Sequence, residues 1–123
     1  MTGRSMLPRL VDIVEAIDLI RSEMAGVTLE AFEADVRKRW LVERGVEIVS
    51  EASRHLGAEL KARHPAIPWR KVARIGNVLR HDYASVAPAI LWALVQHDLA
   101  PFERVCRAEL AAEEARQGGM GKR

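Results

Sequence analysis

This chain has little of several things that would place it quickly. It has one cysteine, Cys106, so no internal disulfide can form and a reducing, cytoplasmic setting is the simple expectation. Its longest uncharged run, Tyr83 to Gln96, is too short to span a bilayer. Asp12, Glu15 and Asp18 interrupt the amino-terminal apolar residues and exclude a signal peptide there, so no membrane segment is expected. There is no glycine-rich phosphate loop and no Gly-x-Ser-x-Gly turn. His55 and His64 lie nine apart across a helix end and His97 stands alone, so no metal-ligand spacing appears. No metal or other cofactor is expected. Cys106 has no histidine near it in sequence and reads as a small buried apolar residue. Repeats, low-complexity tracts and strand-like alternation are also missing.

What is present favours helix. Ala, Leu, Val, Glu and Arg dominate, while aromatic residues make up only 5%. With 123 residues, 49% of them apolar and 29% charged, the chain has the size and composition of one soluble domain with one core. Residues 1–5 and 117–123 read as disordered ends. Apolar residues at 7, 10, 13/14, 17, 20 and 24 predict a first helix ended by Gly26. Thr28 suits the N-cap of a short second helix over 29–35. A long third helix is expected from Val36 to Arg63, with Val42, Val46, Val49, Ala52/Ser53, Leu56 and Leu60 inside. "HPAIP" at 64–68 breaks the pattern, and Pro68 fits the first turn of a fourth helix over 68–82. A last helix follows from Ala87 to Arg116, which Pro101 should kink or divide. The expected architecture is an all-α antiparallel bundle of four to five helices.

Charge is unevenly spread. Six of the 19 basic residues, Lys61, Arg63, Arg70, Lys71, Arg74 and Arg80, fall between Leu60 and His81 with no acid among them. The remaining 13 face all 17 acids. A basic segment on an otherwise acidic chain suggests a surface for an anion, RNA or DNA among the candidates; a merely solvated helix face is the alternative.

On a helical wheel, residues 68–83 divide. Trp69, Val72, Gly76 and Leu79 share one side, and Arg70, Arg74, Asn77 and His81 the other. Glycine is costly inside a helix, so Gly76 points to close approach of a second helix. The polar row has the chemistry for phosphodiester cleavage without a metal. The imidazole of His81 can move a proton near neutral pH, a guanidinium can hold phosphate, and Asn77 can orient an oxygen. One histidine serves one proton transfer, so a symmetric second copy supplying another would complete the reaction. Glu43, Glu47 and Glu51 form a row on the third helix; if that row faced the fourth, Glu51 could pair with Arg74 or orient His81. Tyr83 joins the polar row only if the helix stops at about Asp82. An exposed row of this kind is also common on helices that do no chemistry.

The stretch "IPWRKVARIGNVLRHDY" resembles the signature of HepT-like proteins, small helical ribonucleases of the HEPN superfamily. Their hallmark is an arginine a few residues ahead of His-x-Tyr. Here six residues separate Arg74 from His81, and Asp82 and Tyr83 complete it. "ERGVEIVSEASRHL" is similar to the family's long helix, with its Glu-Ala pair at Glu51 and Ala52. The resemblance extends over roughly residues 7–110. Many members carry an arginine directly before the asparagine, where this chain has Gly76 and its arginine displaced to Arg74.

The resemblance implies a toxin of a bacterial type VII-like toxin–antitoxin pair, an endoribonuclease acting as a homodimer with both Arg–His motifs in the cleft between subunits. It implies Arg74 and His81 as catalytic residues, and Asn77, Arg70 and Arg80 as substrate-binding residues. Glu51 and Asp82 would support them. It also implies a partner, an MntA-like minimal nucleotidyltransferase that transfers AMP to Tyr83 and so neutralises the toxin. The alternative is a non-catalytic dimeric helical partner, or nucleotide-binding module, of such a nucleotidyltransferase.

Overall fold

In the first helix, α1 (Leu7–Met24), Pro8 occupies the first turn, where its missing N–H has no helical partner to lose. The computed structural model that shows this describes residues 5–121, apart from the side chains of Tyr83 and of residues 119–121. Leu10, Ile13, Ile17 and Ile20 form the inner face of α1, each at most 1% exposed. Beyond it Gly26 takes φ +71°, a left-handed turn that glycine makes without a Cβ clash. Thr28 then caps α2 (Leu29–Ala34), its hydroxyl accepting from the Ala31 N–H at 3.1 Å. Asp35 caps α3 (Val36–Arg54), its carboxylate accepting from the N–H groups of Arg37 and Lys38.

The expected third helix is shorter than its apolar stripe. All of that stripe is buried, from Val42 through Leu60. The helix nevertheless stops at Arg54, where the N–H groups of His55 and Leu56 tighten onto Ala52 and Ser53. Gly57, a poor helix former, turns the backbone to ψ 159° before α4 (Ala58–Ala62) begins. Leu56 and Leu60 reach the core from two separate segments, which periodicity alone could not show.

α5 (Trp69–Asp82) follows the two prolines, and a 3-10 turn, Tyr83–Ser85, ends it. Next come α6 (Pro88–Ala93), a π turn at Leu94–Asp98 and α7 (Leu99–Gly121). The break expected at Pro101 therefore lies earlier. Pro101 has no N–H to give His97 and its ring crowds that carbonyl; the wider turn, with the Leu99 N–H on the Leu94 carbonyl, absorbs both. α7 also runs on into the segment expected as a frayed tail, where Gln117 donates to the Ser5 hydroxyl.

α3 is the central helix. α1 and α5 both pack against it, α7 packs against α1 and meets the start of α5 through Phe102 and Trp69, and α2 packs against α6. The fold is all-α, a helical bundle. Among the described residues no helix is long and apolar enough to cross a membrane.

One polar cluster ties the 64–68 loop to α7. Glu109 is 8% exposed, takes Arg63 in a two-pronged bond (2.8 and 3.1 Å) and meets His64 Nε2 at 2.6 Å. Trp69 Nε1 donates to the His64 carbonyl, and the Trp69 ring stands edge-on to Phe102. Cys106 lies buried beside this cluster, its thiol pushed up to about 12 by burial and by the Glu109 charge. It is inert packing, as its sequence context suggested.

Candidate functional site

The division of α5 into two faces is fixed by α3. Ser50 of α3 sends its hydroxyl between the helices, donating to the Ala73 carbonyl and accepting from the Gly76 N–H, both at 3.0 Å. A Cβ placed on Gly76 would stand 2.6 Å from that oxygen and 2.7 Å from Ser50 Cβ. Gly76 is therefore where the two helices touch, as its position on the wheel suggested. Arg54 adds a clamp, Nε and Nη2 donating to the same Ala73 carbonyl at 3.1 and 2.8 Å.

With Gly76 and Leu79 buried, the opposite face is left to solvent. Arg70, Arg74, Asn77 and His81 are all exposed on it. Among the described residues no acid lies within ion-pairing distance of Arg70, Arg74 or His81. Arg80 stands at the edge nearer α3: Nη1 donates to Asn77 Oδ1 at 3.4 Å and Nη2 lies 4.0 Å from Glu51.

Glu51 is placed differently from either pairing considered for it. Its carboxylate meets His55 Nε2 at 3.1 Å and Arg54 Nη1 at 3.2 Å, with Arg80 beyond them. It reaches neither Arg74 nor His81. The hydrogen bond to His55, then the charges of Arg54 and Arg80, hold its carboxyl below the usual range. Asp82 is exposed at the end of α5, its carbonyl accepting from the Ser85 hydroxyl. That bond belongs to the tight turn that ends the helix before Tyr83, the condition set for the tyrosine to approach the row. The Tyr83 side chain itself lies outside the described residues. The basic segment is likewise not one surface of open charges, because Arg63, though half-exposed, is paired with Glu109.

Three arginines and a serine were missed by sequence reasoning. Arg9 of α1 and Arg44 of α3 line a cleft of about 150 Å³ with Asp12, Glu47, Glu51 and Arg80. Arg54 and Ser50 position α5 from below. For Arg44 and Arg54 the available signal was spacing: Arg44, Glu47, Glu51 and Arg54 follow one another at three or four residues, along a single helix edge; Arg9 and Ser50 lie outside that series.

Chemically, the exposed face offers a fork of donors for a phosphate, an amide and one imidazole, with no acid drawing the arginine away. The family model described as Ribonuclease HepT-like matches residues 13–109. A protein of Thermococcus cleftensis named Probable ribonuclease HepT is 38% identical over 96 residues, 78% of this chain and 87% of that one. A candidate RNase of Methanocaldococcus jannaschii is 27% identical over 99 residues, 80% of this chain and 91% of its own length. Another in Caldanaerobacter subterraneus is 25% identical over 107 residues, 87% and 96% of the two chains. No solved structure matches significantly. A match that begins in α1 and ends in α7, with relatives covered over most of their length, shows that the chain belongs to the HepT-like ribonuclease family.

Proposed function

We propose that the protein is a metal-independent endoribonuclease and the toxin of a type VII-like toxin–antitoxin pair. The observation that carries this reading is the exposed row Arg74, Asn77 and His81 on a helix whose other face is locked against α3. In the reaction, the RNA 2′-oxygen attacks the neighbouring phosphorus and the bond from phosphorus to the 5′-oxygen breaks. One imidazole takes the 2′-hydroxyl proton, and another returns a proton to the leaving oxygen. Arg74 stabilises the charge that builds on the phosphoryl oxygens, Asn77 orients one of them, and Arg70 and Arg80 hold flanking phosphates. Each copy brings a single His81, so the complete site is composite, shared across a homodimer. A minimal nucleotidyltransferase encoded beside the toxin silences it: the Tyr83 phenol oxygen attacks the α-phosphorus of ATP, pyrophosphate leaves, and AMP remains on the tyrosine.

The test is cleavage of RNA by the purified chain in EDTA. His81→Ala should abolish it, as should Tyr83 modification during co-expression with the neighbouring gene. Intact mass then rises by one or more AMP groups, and Tyr83→Phe removes the increase. Equal inactivity of wild type and His81→Ala in EDTA would end the enzymatic reading.

One observation favours the second reading, a non-catalytic dimeric partner or nucleotide-binding module. The place that the family's arginine commonly fills is Gly76, buried beneath Ser50. Under that reading His81→Ala alters nucleotide or partner binding, and no cleavage exists to be lost.

A further inference from the structure

We infer that Trp40 is a stacking platform for an unpaired base of the RNA strand, with Arg37 and Arg44 taking the phosphates on either side of that base. The inference rests on the ribonuclease reading above and narrows its substrate to single-stranded RNA that leaves the α5 row along an edge of α3. The chain has three tryptophans, and two are tied down. Trp69 Nε1 donates to the His64 carbonyl and its ring meets Phe102, while Trp92 Nε1 donates to the Val27 carbonyl; both are partly buried against the core. Trp40 is 63% exposed. Among the described residues its indole N–H has no hydrogen-bond partner and no ring lies against it. A tryptophan offers one of the largest apolar surfaces of any side chain, and a buried one usually finds a partner for its N–H as well.

The setting of Trp40 says what its partner is. It lies three residues after Arg37 and four before Arg44, spacings that put all three on one edge of α3, and all three are exposed. The basic residues between them are engaged elsewhere: Lys38 pairs with Glu23, and Arg39 donates to the Glu33 carbonyl. Among the described residues Arg37 has no ion pair, and Arg44, its side chain 71% exposed, has a 3.4 Å contact with Glu47. A flat ring between two guanidiniums matches the way proteins hold single strands. Bases stack on aromatic faces while basic side chains follow the backbone. A base reaches the indole face when it is unpaired, so a duplex would pass this edge without using it.

The edge also leads to the polar row. Beyond Arg44 it continues through Glu47 and Glu51 into the cleft whose far side is Arg80, and Arg80 is bonded to Asn77 of the row. The acids of the cleft are already engaged, Glu51 by His55 and Arg54, Glu47 by Arg44. Ala73 lies against Arg54 and Gly76 against Ser50, so α5 runs antiparallel to α3. The His81 end of the row is therefore the end nearer Arg44 and Trp40. Five residues past the Gly76–Ser50 contact, His81 is roughly level with Gly45, and Trp40 stands about 8 Å further along α3. At about 3.4 Å per stacked nucleotide, that is about two steps from the cut. The continuity of edge, cleft and row favours an RNA strand over a protein as the occupant.

The experiment measures binding and cleavage apart on the full chain, with thermal melts to show that each variant is folded. All three positions are exposed, so substitutions there should leave the melt unchanged. Binding is read with a single-stranded 2′-O-methyl oligonucleotide, which has no free 2′-hydroxyl and stays whole; cleavage is read in EDTA with unmodified RNA. Trp40→Ala should weaken single-strand binding by about 5- to 150-fold, as loss of one stacked base does, and raise KM while kcat holds. Trp40→Phe keeps an aromatic face and should recover most of the affinity. Arg37→Ala and Arg44→Ala should each lower the slope of log affinity against log salt by about 0.7. An abasic nucleotide about two steps from the cut should weaken binding to wild type and make no difference to Trp40→Ala. If Trp40→Ala binds and cleaves like wild type, the inference is overturned and the ribonuclease reading stands. Equal loss on duplex and single strand also overturns it. So does unchanged RNA binding with loss of co-purification of the neighbouring gene's product, because the edge then serves a protein partner. A wild type that binds the oligonucleotide through Trp40 but cleaves nothing leaves the platform standing and ends the ribonuclease reading; one that does neither ends both.

Discussion

Two arginine–histidine pairings, Arg63 with His64 and Arg74 with His81, have opposite fates. Arg63 and His64 share Glu109, a carboxylate only 8% exposed, at hydrogen-bond distance from both. Arg74 and His81 lie along an exposed helix face, with no acid within pairing distance among the described residues. The same two residue types are a structural tie in one place and free donors in the other. What separates them is a third residue, Glu109, 45 positions from His64 and invisible to any local motif.

The largest expected effect tests this contrast directly. His81→Ala should cut RNA cleavage by about 10²–10⁴-fold, as loss of a general acid–base group does, with the melting temperature unchanged. Arg74→Ala should cost about 10²–10³-fold, as loss of one donor to a transition-state oxyanion does. His64→Ala should do the reverse, lowering the melting temperature and sparing cleavage. Cleavage assays and thermal melts on the same three preparations decide it. A His64 variant that loses cleavage while remaining folded would erase the distinction between the pairings.

The contrast also marks how far the sequence can be read. The apolar stripes of α1 and α3, the cap at Thr28 and the two faces of α5 follow from periodicity and capping, which are local. The polar row was legible for the same reason, because residues three or four apart share a helix face. The end of α3 at Arg54 was not, since Leu56 and Leu60 continue the apolar period beyond the break. Glu51's nearest partners, Arg54 and His55, stand three and four residues along its own helix and were open to a local reading; Arg80 was not, since it required the level at which α5 crosses α3, which is set by the Ser50–Gly76 contact. The π turn arises from Pro101 acting four residues upstream, so the proline was read correctly and the place of its effect was not.

That helix contact gives the next effect in size. Gly76→Ala should destabilise the protein by about 1–3 kcal/mol, because its Cβ overlaps Ser50, whose hydroxyl is held between the helices by two hydrogen bonds. Ser50→Gly should recover part of the loss in the double variant, a non-additivity measurable by denaturant unfolding. Additive losses would show that Ser50 does not set the approach of α5.

Breaking the satisfied pairing comes after this. Glu109→Gln should cost about 1–2 kcal/mol, less than a fully buried pair would, because Arg63 is half-exposed and can turn to water. The pH dependence has a definite sign. Hydrogen bonds from Arg63, and then from His64, hold the Glu109 carboxyl below its ordinary 4.5. Its folded value is thus depressed, so its stabilisation is complete above pH 4.5 and is lost as pH falls from there through the folded value. Glu109→Gln should flatten the stability curve over that interval. A variant curve parallel to wild type would remove Glu109 from the account of acid unfolding.

The smallest effect separates two arginines of the open region. Arg80 is shared with Asn77 and, at 4.0 Å, with Glu51; among the described residues Arg74 has no such tether. An exposed pair at that distance contributes little, so Arg80→Ala should change stability by less than about 0.5 kcal/mol. Its effect on RNA belongs to binding. Each phosphate contact to a single strand adds about 0.7 to the slope of log affinity against log salt. Arg80→Ala should lower that slope by about this amount and leave turnover of bound RNA nearly intact, whereas Arg74→Ala should lower both. The tether is the reason: a guanidinium whose field is partly offset by a neighbouring carboxylate stabilises a phosphorane-like transition state less than one with no acid partner among the described residues. If the pattern is reversed, with turnover lost in Arg80→Ala and kept in Arg74→Ala, then Glu51 holds the catalytic arginine in place, and the acid partner that silences one pairing would be what aims the other.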